Sequence, residues 1–354
     1  KSTGEPSRYL RQLDYESPHT LHHAEVGVDV NLVPPEPIVV RKEPIFGALL
    51  RYVDANSKAA LSPTALYRYV ACPLRFYFHS VAGLRTEDTV AEEVDAPMFG
   101  TILHAAAQAL YKRIEGVPNP GEMLNALARS GEVERAVDGS IATNYLNRES
   151  VPKEEYPGNL LLVRDIVIRY LKRGVMAYDA AHDDFAVVGR EEKVDYAFPF
   201  TSAGASFELK LSGIADRIDR LNNGLLRVVD YKTGRVLDDD IYIDDDNALD
   251  IADRIFAPDI KDRPKIAFQF YIYDLLVQDR PEVQGRKLHN CVYSTSRLFC
   301  KLPEAIPVHP VFFNASSEHL ARLMAEIDNP EVPFRRTTDK SVCGYCDFKT
   351  ICGR

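Results

Sequence analysis

Two aspartates and a lysine could do chemistry together if the chain folds as the residues between them direct. In GIADRIDRLNNGLLRVVDYKTG, residues 213–234, Asn222-Asn223-Gly224 is a turn signal between two strand-like runs and predicts a β-hairpin. A turn centred on Asn223 sets residues equidistant from it opposite one another, and Asp216 and Asp230, each seven positions away, meet that condition. Opposed Cβ atoms lie roughly 4.5–5.5 Å apart, where like charges are destabilising unless something positive lies between them. A hard divalent cation meets that need. Side chains alternate along a strand, so Lys232 shares the face of Asp230, and Tyr231 points away. Two carboxylates on Mg²⁺, with a lysine to position or deprotonate water, form a device for hydrolysing phosphodiesters. The same residues also read as a surface hairpin in which Lys232 makes an ordinary salt bridge.

The elements that must position these groups can be read on either side. Leu225 to Val229 supply the apolar run that anchors the lysine-bearing strand in a core. Upstream, Ser62 and Pro63 of LSPTALYRYVACPLRFYFHSVAGL (61–84) are an N-cap and first-turn pair, and Pro73 predicts a break or restart beside Cys72. FGTILHAAAQALYKRIEG (99–116) predicts a helix with His104, Gln108 and Tyr111 along one face. The pattern stays helical from 121 to 180, interrupted around Pro152–Pro157, and shows no chemistry there. From 185 the composition turns β-branched and alternating, and ASFELKLSGIADRIDRL continues the sheet. RPKIAFQFYIYDLLVQ (263–278) reads as a helix, KLHNCVYSTSR (287–297) as a strand and SEHLARLMAEIDN as an amphipathic helix. This order predicts an α/β chain in which helices flank a central mixed sheet. Before residue 60, LVPPEPIVV reads as an extended linker, and no core is expected there.

Composition bounds the partners. A net charge of −9 argues against a chain coated for nucleic acid. Acidic residues concentrate in LDDDIYIDDDNALD (237–250), expected as an exposed flexible loop, so a local basic groove remains open. No run approaches the roughly 18 apolar residues of a membrane span, and the N-terminus lacks a secretory segment. No membrane partner is expected, and a cytoplasmic location follows by default. No Walker A motif occurs, so the chain is not expected to hydrolyse ATP itself. Lys1 in place of Met points to a fragment of something longer.

Gly213-x-x-Asp216-Arg217-x-Asp219 followed by Val228-Val229-Asp230-Tyr231-Lys232-Thr233-Gly234 resembles the core of the PD-(D/E)XK nucleases of the RecB and AddB type. The resemblance covers roughly residues 61–354, with a helical insertion at about 115–180 that matches no pattern. It implies a restriction-endonuclease-like fold and a DNA nuclease, expected to be an exonuclease, that uses Mg²⁺ or Mn²⁺. It further implies that His104, in GTILH, joins Asp216, Asp230 and the Tyr231 carbonyl at the metal, and that Gln269 and Tyr273 form the family's Q-x-x-x-Y helix. An acidic residue on the preceding strand is also implied: Glu191 or Glu192, with Glu191 favoured.

Cys343, Cys346 and Cys352 in CGYCDFKTIC are spaced for one metal centre, and three thiolates want a fourth. The resemblance makes Cys72 that fourth ligand of a [4Fe–4S] cluster that ties the tail (343–352) to the first helical region. Cysteine count alone does not separate such a cluster from a four-cysteine zinc site. Cys291 and Cys300 match nothing and are expected to be buried. EPSRYLRQLDYE near the start is similar to the PSRFL segment that closes the motor region of UvrD-type helicases. Residues 1–60 then read as a linker from an upstream helicase-like region of an AddB-like protein, with a helicase-nuclease partner subunit and a role in recombinational repair. A non-catalytic DNA-binding scaffold and a stand-alone CRISPR-associated RecB-like exonuclease are the rival readings.

Overall fold

The computed structural model describes residues 7–18, 20, 22, 38–54, 56–85, 93–260, 262–280, 283, 288–300 and 303–354. Its strands are β1 (Val39–Val40), β2 (Phe185–Ser202), β3 (Ala205–Leu221), β4 (Leu226–Lys232), β5 (Leu288–Ser294), β6 (Ile306–Pro307) and β7 (Phe334–Arg335). The α-helices in chain order are α1 (Arg8–Glu16), α2 (Phe46–Leu50), α3 (Pro63–Ala71), α4 (Pro73–Phe76), α5 (Ala96–Tyr111), α6 (Gly121–Arg129) and α7 (Glu132–Asn144). They continue as α8 (Gly158–Arg169), α9 (Met176–Ala181), α10 (Ala248–Phe256), α11 (Lys265–Val277), α12 (Pro310–Asp328) and α13 (Lys340–Gly344).

The central sheet runs β2-β3-β4-β5-β6, and β1 pairs with β7 apart from it. It is mixed, because β4 and β5 are parallel and its other neighbours antiparallel. Parallel partners cannot be joined by a tight turn. The chain between them therefore crosses over through α10 and α11. β2 and β3 form a long hairpin closed at Ala203-Gly204, both with positive φ, which matches the twist of the strands.

At the next turn the register is the one the sequence predicts. Arg217 pairs with Val229, Ile218 with Val228, Asp219 with Arg227 and Arg220 with Leu226, each pair equidistant from Asn223. Gly224 supplies the positive φ of 83° that lets its N–H reach Leu221 O at 2.9 Å.

Alternation along these strands divides the interior. Leu211, Ile218, Leu226, Val228 and Val292 pack in one core with residues of α3, α10, α11 and α12. Val187, Val229, Tyr231, Cys291 and Tyr293 pack in a second with residues of α5 to α9. From Ile266 to Val277 every residue of α11 is buried except Gln269. A helix apolar nearly all round belongs inside; its buried Asp274 accepts from Asn290, and Gln269 is left part-exposed.

The second core holds a charged network. Arg217 and Asp179 are fully buried, with Arg217 Nη1 2.8 Å from Asp179 Oδ2. Arg217 Nε donates to Asp219 at 3.2 Å, and Arg227 Nη2 donates to the same carboxylate at 2.7 Å. Tyr111 and Tyr293 donate their hydroxyls to Asp179, and Tyr231 OH accepts from Arg217 at 3.0 Å. Burial opposes the charge on Asp179, but Arg217 and Arg227 hold its carboxyl below the usual range. The helical stretch expected to carry no chemistry thus supplies the anion that pins β3 and β4.

Three expectations need correction. Core residues do occur before residue 60: Leu49 and Tyr52 are buried, and buried Lys42 donates to the carbonyls of Glu326, Ile327 and Asn329. The ammonium thus gathers carbonyls at the end of α12, and burial pushes its pKa down to about 8. Of LVPPEPIVV only Ile38–Val40 falls among the described residues. Residues up to Glu36 form a separate unit whose described part is chiefly α1, capped by Ser7 and with no buried residue. The acidic run is folded rather than loose, since Ile241 and Ala248 are buried and Asp244 accepts the N–H groups of Asp246 and Asn247. Cys300 is exposed, because the turn after β5 carries it out of the sheet, whereas Cys291 is buried.

Removing one member of a buried ion network leaves the others uncompensated. Asp179→Ala should lower the unfolding free energy by about 3–5 kcal/mol in chemical denaturation.

Candidate active site

Asp216 sits where both of its neighbouring ladders are interrupted. The β3–β4 ladder ends at Arg217–Val229, and one step on the Tyr231 N–H turns to Asp216 Oδ2 at 2.9 Å. On the other side the β2–β3 ladder pairs Arg190 with Arg217 and Glu192 with Ala215, passing over Glu191 and Asp216. Glu191 has φ of 39°, a left-handed conformation that breaks the strand locally. Three adjacent strands therefore bring Glu191, Asp216 and Asp230 to one level of the sheet. The side chain of Glu192 lies outside the described residues.

The Tyr231 main chain is a seam between two groups of side chains. On one side His104, from α5, has Nε2 2.9 Å from Tyr231 O and Nδ1 3.4 Å from Asp216 Oδ1. These groups border a cavity of about 240 Å³ with Gln108, Arg190 and Glu191. On the other side Lys232 Nζ lies 2.7 Å from Asp230 Oδ2 and 2.9 Å from Oδ1, to which Gln269 Nε2 also donates at 2.9 Å. Gln269 donates to Tyr273 OH at 2.6 Å. The one unburied position between Ile266 and Val277 thus reaches the carboxylate.

The electrostatics follow from crowding. Burial, and then the neighbouring Asp216 charge, push Asp230 up to about 6 against the pull of Lys232. Burial and Asp216 raise Glu191 as well. Burial works against a charged His104, but the hydrogen bond and charge of Asp216 outweigh it and raise its pKa. Asp230 Oδ2 is buried without a hydrogen bond of sound geometry, although Lys232 is near.

Sequence reasoning missed Lys265, which precedes Gln269 by one helical turn. Burial, then Lys232 and Arg75, lower its pKa, and its Nζ lies 5.5 Å over the Tyr67 ring. The i, i+4, i+8 spacing of Lys265, Gln269 and Tyr273 was the available signal. Arg217 was visible in the motif, but its partner Asp179 lies 38 residues away and carries no local mark.

Cys72, Cys343, Cys346 and Cys352 line one cavity of about 310 Å³, together with Arg75, Arg336 and Lys349. Cys72 is the extended residue between α3 and α4, where Pro73 restarts the helix. All four are free thiols, and burial raises Cys346 and Cys352. Among the described residues, no group of three or more His, Cys, Asp or Glu side chains is drawn together as it stands to hold a metal ion. None of their helices is long and apolar enough to cross a membrane.

A family model described as the PD-(D/E)XK nuclease superfamily matches residues 60–353. The chain belongs to that superfamily. Its mixed sheet flanked by helices agrees with a restriction-endonuclease-like PD-(D/E)XK fold. It is 27% identical over 197 residues to a subunit of the ATP-dependent helicase/deoxyribonuclease of Clostridium perfringens, covering 52% of this chain and 16% of that protein. Proteins of the same description from Streptococcus agalactiae and Clostridium tetani are 27% and 24% identical over 186 and 194 residues. The matches cover 52% and 51% of this chain, and 15% and 16% of those proteins. This is distant homology to a small part of each relative. A solved chain, "Crystal structure of SSO0001", aligns over 87% of this chain and 92% of its own with 13% identity and a TM-score of 0.29.

In a PD-(D/E)XK nuclease a group that orients a site carboxylate from behind is costly to lose. Gln269→Ala should lower DNA cleavage about 10- to 100-fold in an end-labelled digestion assay, with the folded state retained.

Proposed function

We propose that this chain is a divalent-metal-dependent DNA nuclease, an exonuclease that hydrolyses phosphodiester bonds at DNA ends. The observation that carries this reading is the convergence of Asp216, Asp230, Lys232 and His104 at the interrupted ladders of a superfamily member. Hard oxygen donors suit Mg²⁺ or Mn²⁺, and the buried Asp230 Oδ2 without a sound hydrogen bond supports a cation there. Asp216, Asp230, the Tyr231 carbonyl and His104 would hold the ion, which when bound supplies charge stabilisation at the phosphate. Lys232, held on Asp230, orients the attacking water and stabilises the negative charge that develops on its oxygen. Gln269 and Tyr273 hold Asp230 in place, and Glu191 adds negative charge at the rim. Lys232, Lys265 and Arg75 form a cationic approach for the phosphate backbone, which a net charge of −9 does not preclude.

The four cysteines would hold a [4Fe–4S] cluster, with zinc the less favoured occupant. Four thiolates are acceptable ligands for such a cluster, and Arg75, Arg336 and Lys349 around them offset its negative charge. The cluster would tie the tail to the α3–α4 junction. By likeness to the helicase/deoxyribonuclease relatives, the chain acts in DNA end processing for recombinational repair, in the cytoplasm, alongside a helicase-nuclease partner subunit.

Digestion of end-labelled DNA with Mg²⁺ tests the catalytic reading. Lys232→Ala and Asp230→Ala should each cut at least about 100-fold more slowly than the native chain, and equal rates in all three would overturn it. For the cysteine site, protein prepared without oxygen should be coloured and contain iron. Cys72→Ala should lose both colour and iron, whereas colourless protein containing zinc would refute the cluster.

A further inference from the structure

The end of β4 that carries Lys232 is also the root of an exposed aromatic stack. Thr295 N donates to Lys232 O at 2.9 Å and Thr295 Oγ1 to Thr233 O at 3.2 Å, so the turn after β5 starts beside the catalytic strand. Phe299 follows four residues later, within about 14 Å of that junction by chain length. It is 51% exposed, which is unusual for a phenylalanine held in a defined contact. Its ring stacks on Tyr170 at 5.7 Å between centroids and 20° between planes. Phe99, at the N-terminal end of α5, meets Tyr170 edge-on at 6.3 Å, and the Arg169 guanidinium lies 5.7 Å over Phe299.

This arrangement is braced from beneath. Residues Tyr170–Val175 form a π-helical turn, a rare distortion found frequently at functional sites. Leu298 is buried against Gly174, where any Cβ would collide with it, so the turn presents Phe299 in one position. Gly100 likewise lets α5 approach Thr233 closely, where an added Cβ would sit 3.3 Å from its Oγ1. Among the described residues neither Arg169 nor Arg173, both exposed, has a carboxylate partner. Aromatic faces beside unpaired guanidinium groups match the chemistry of nucleobases and phosphates rather than that of an apolar protein surface.

We propose that Phe299, with Tyr170 and Arg169, is a stacking platform for an unpaired base of single-stranded DNA, a few nucleotides from the bond being cut. This rests on the nuclease reading above. A base inside a duplex already has both faces stacked, so the platform selects a single strand or a frayed end.

The chain has no tryptophan, so Phe299→Trp introduces a single indole reporter. Binding is measured without divalent metal, using labelled oligothymidylate, its abasic counterpart of equal length and a blunt duplex. Phe299→Ala should weaken oligothymidylate binding about 5- to 150-fold and leave the abasic strand and the duplex unchanged. Phe299→Trp should keep the affinity, and its emission should be quenched by oligothymidylate but not by the abasic strand. Undiminished affinity in Phe299→Ala, or equal quenching by both strands, would overturn the platform. That result would leave the nuclease reading standing, because the reading is decided separately by the cleavage rates of the Lys232 and Asp230 variants.

Discussion

The structure depends on the buried ion network centred on Arg217 and Asp179. Burying four charged groups is costly, and the geometry repays that cost only when each finds its partners. Arg217 touches Asp179, Asp219, Tyr231 and the Tyr111 ring, so one guanidinium joins α9, β3, β4 and α5. Arg217 directly follows Asp216, and Tyr231 directly follows Asp230. The residues that carry the candidate chemistry are thus neighbours in the chain of residues that cannot move without breaking a buried ion pair.

That rigidity explains how the sheet tolerates its own interruption. A strand ladder that stops in the interior leaves N–H and C=O groups to be satisfied elsewhere. Here the Tyr231 N–H goes to a carboxylate and its carbonyl to an imidazole, so the main chain is satisfied by the same side chains that form the site. Asp216 is an integral part of the sheet's hydrogen bonding, and its carboxylate is aimed by that bond.

The hairpin was legible because its cause is local: Asn222-Asn223-Gly224 dictates a turn, and the turn dictates the register of every following pair. The α3–α4 break at Cys72 and the shared face of Gln269 and Tyr273 on α11 were legible for the same reason, since proline and helical periodicity act over a few residues. The Arg217–Asp179 network was not, because an aspartate in MAYDAA looks like any solvated helical acid until tertiary packing encloses it. Lys42 was missed likewise: its meaning comes from the end of α12, nearly 300 positions away. The exposure of Cys300 and the order of the acidic run were misjudged because cysteine content and charge density describe averages, whereas burial is set by where a turn happens to point.

Charge provides the last link between the scaffold and the substrate. Net charge describes the field at long range, and screening confines it to roughly 8 Å at physiological salt. Within that distance, what a phosphate meets is decided by the cations placed nearest the carboxylates. Burial, then Lys232 and Arg75, lower the preference of Lys265 for the charged state. Such a group of mutually repelling cations is stored cost in the free protein, relieved when a polyanion lies across it. The crowded carboxylates favour a cation, and Lys265, repelled by Lys232 and Arg75, favours an anion. Under the proposed function, a divalent ion and a phosphodiester would satisfy both needs at once, which is a physical reason for metal and substrate to bind more tightly in each other's presence.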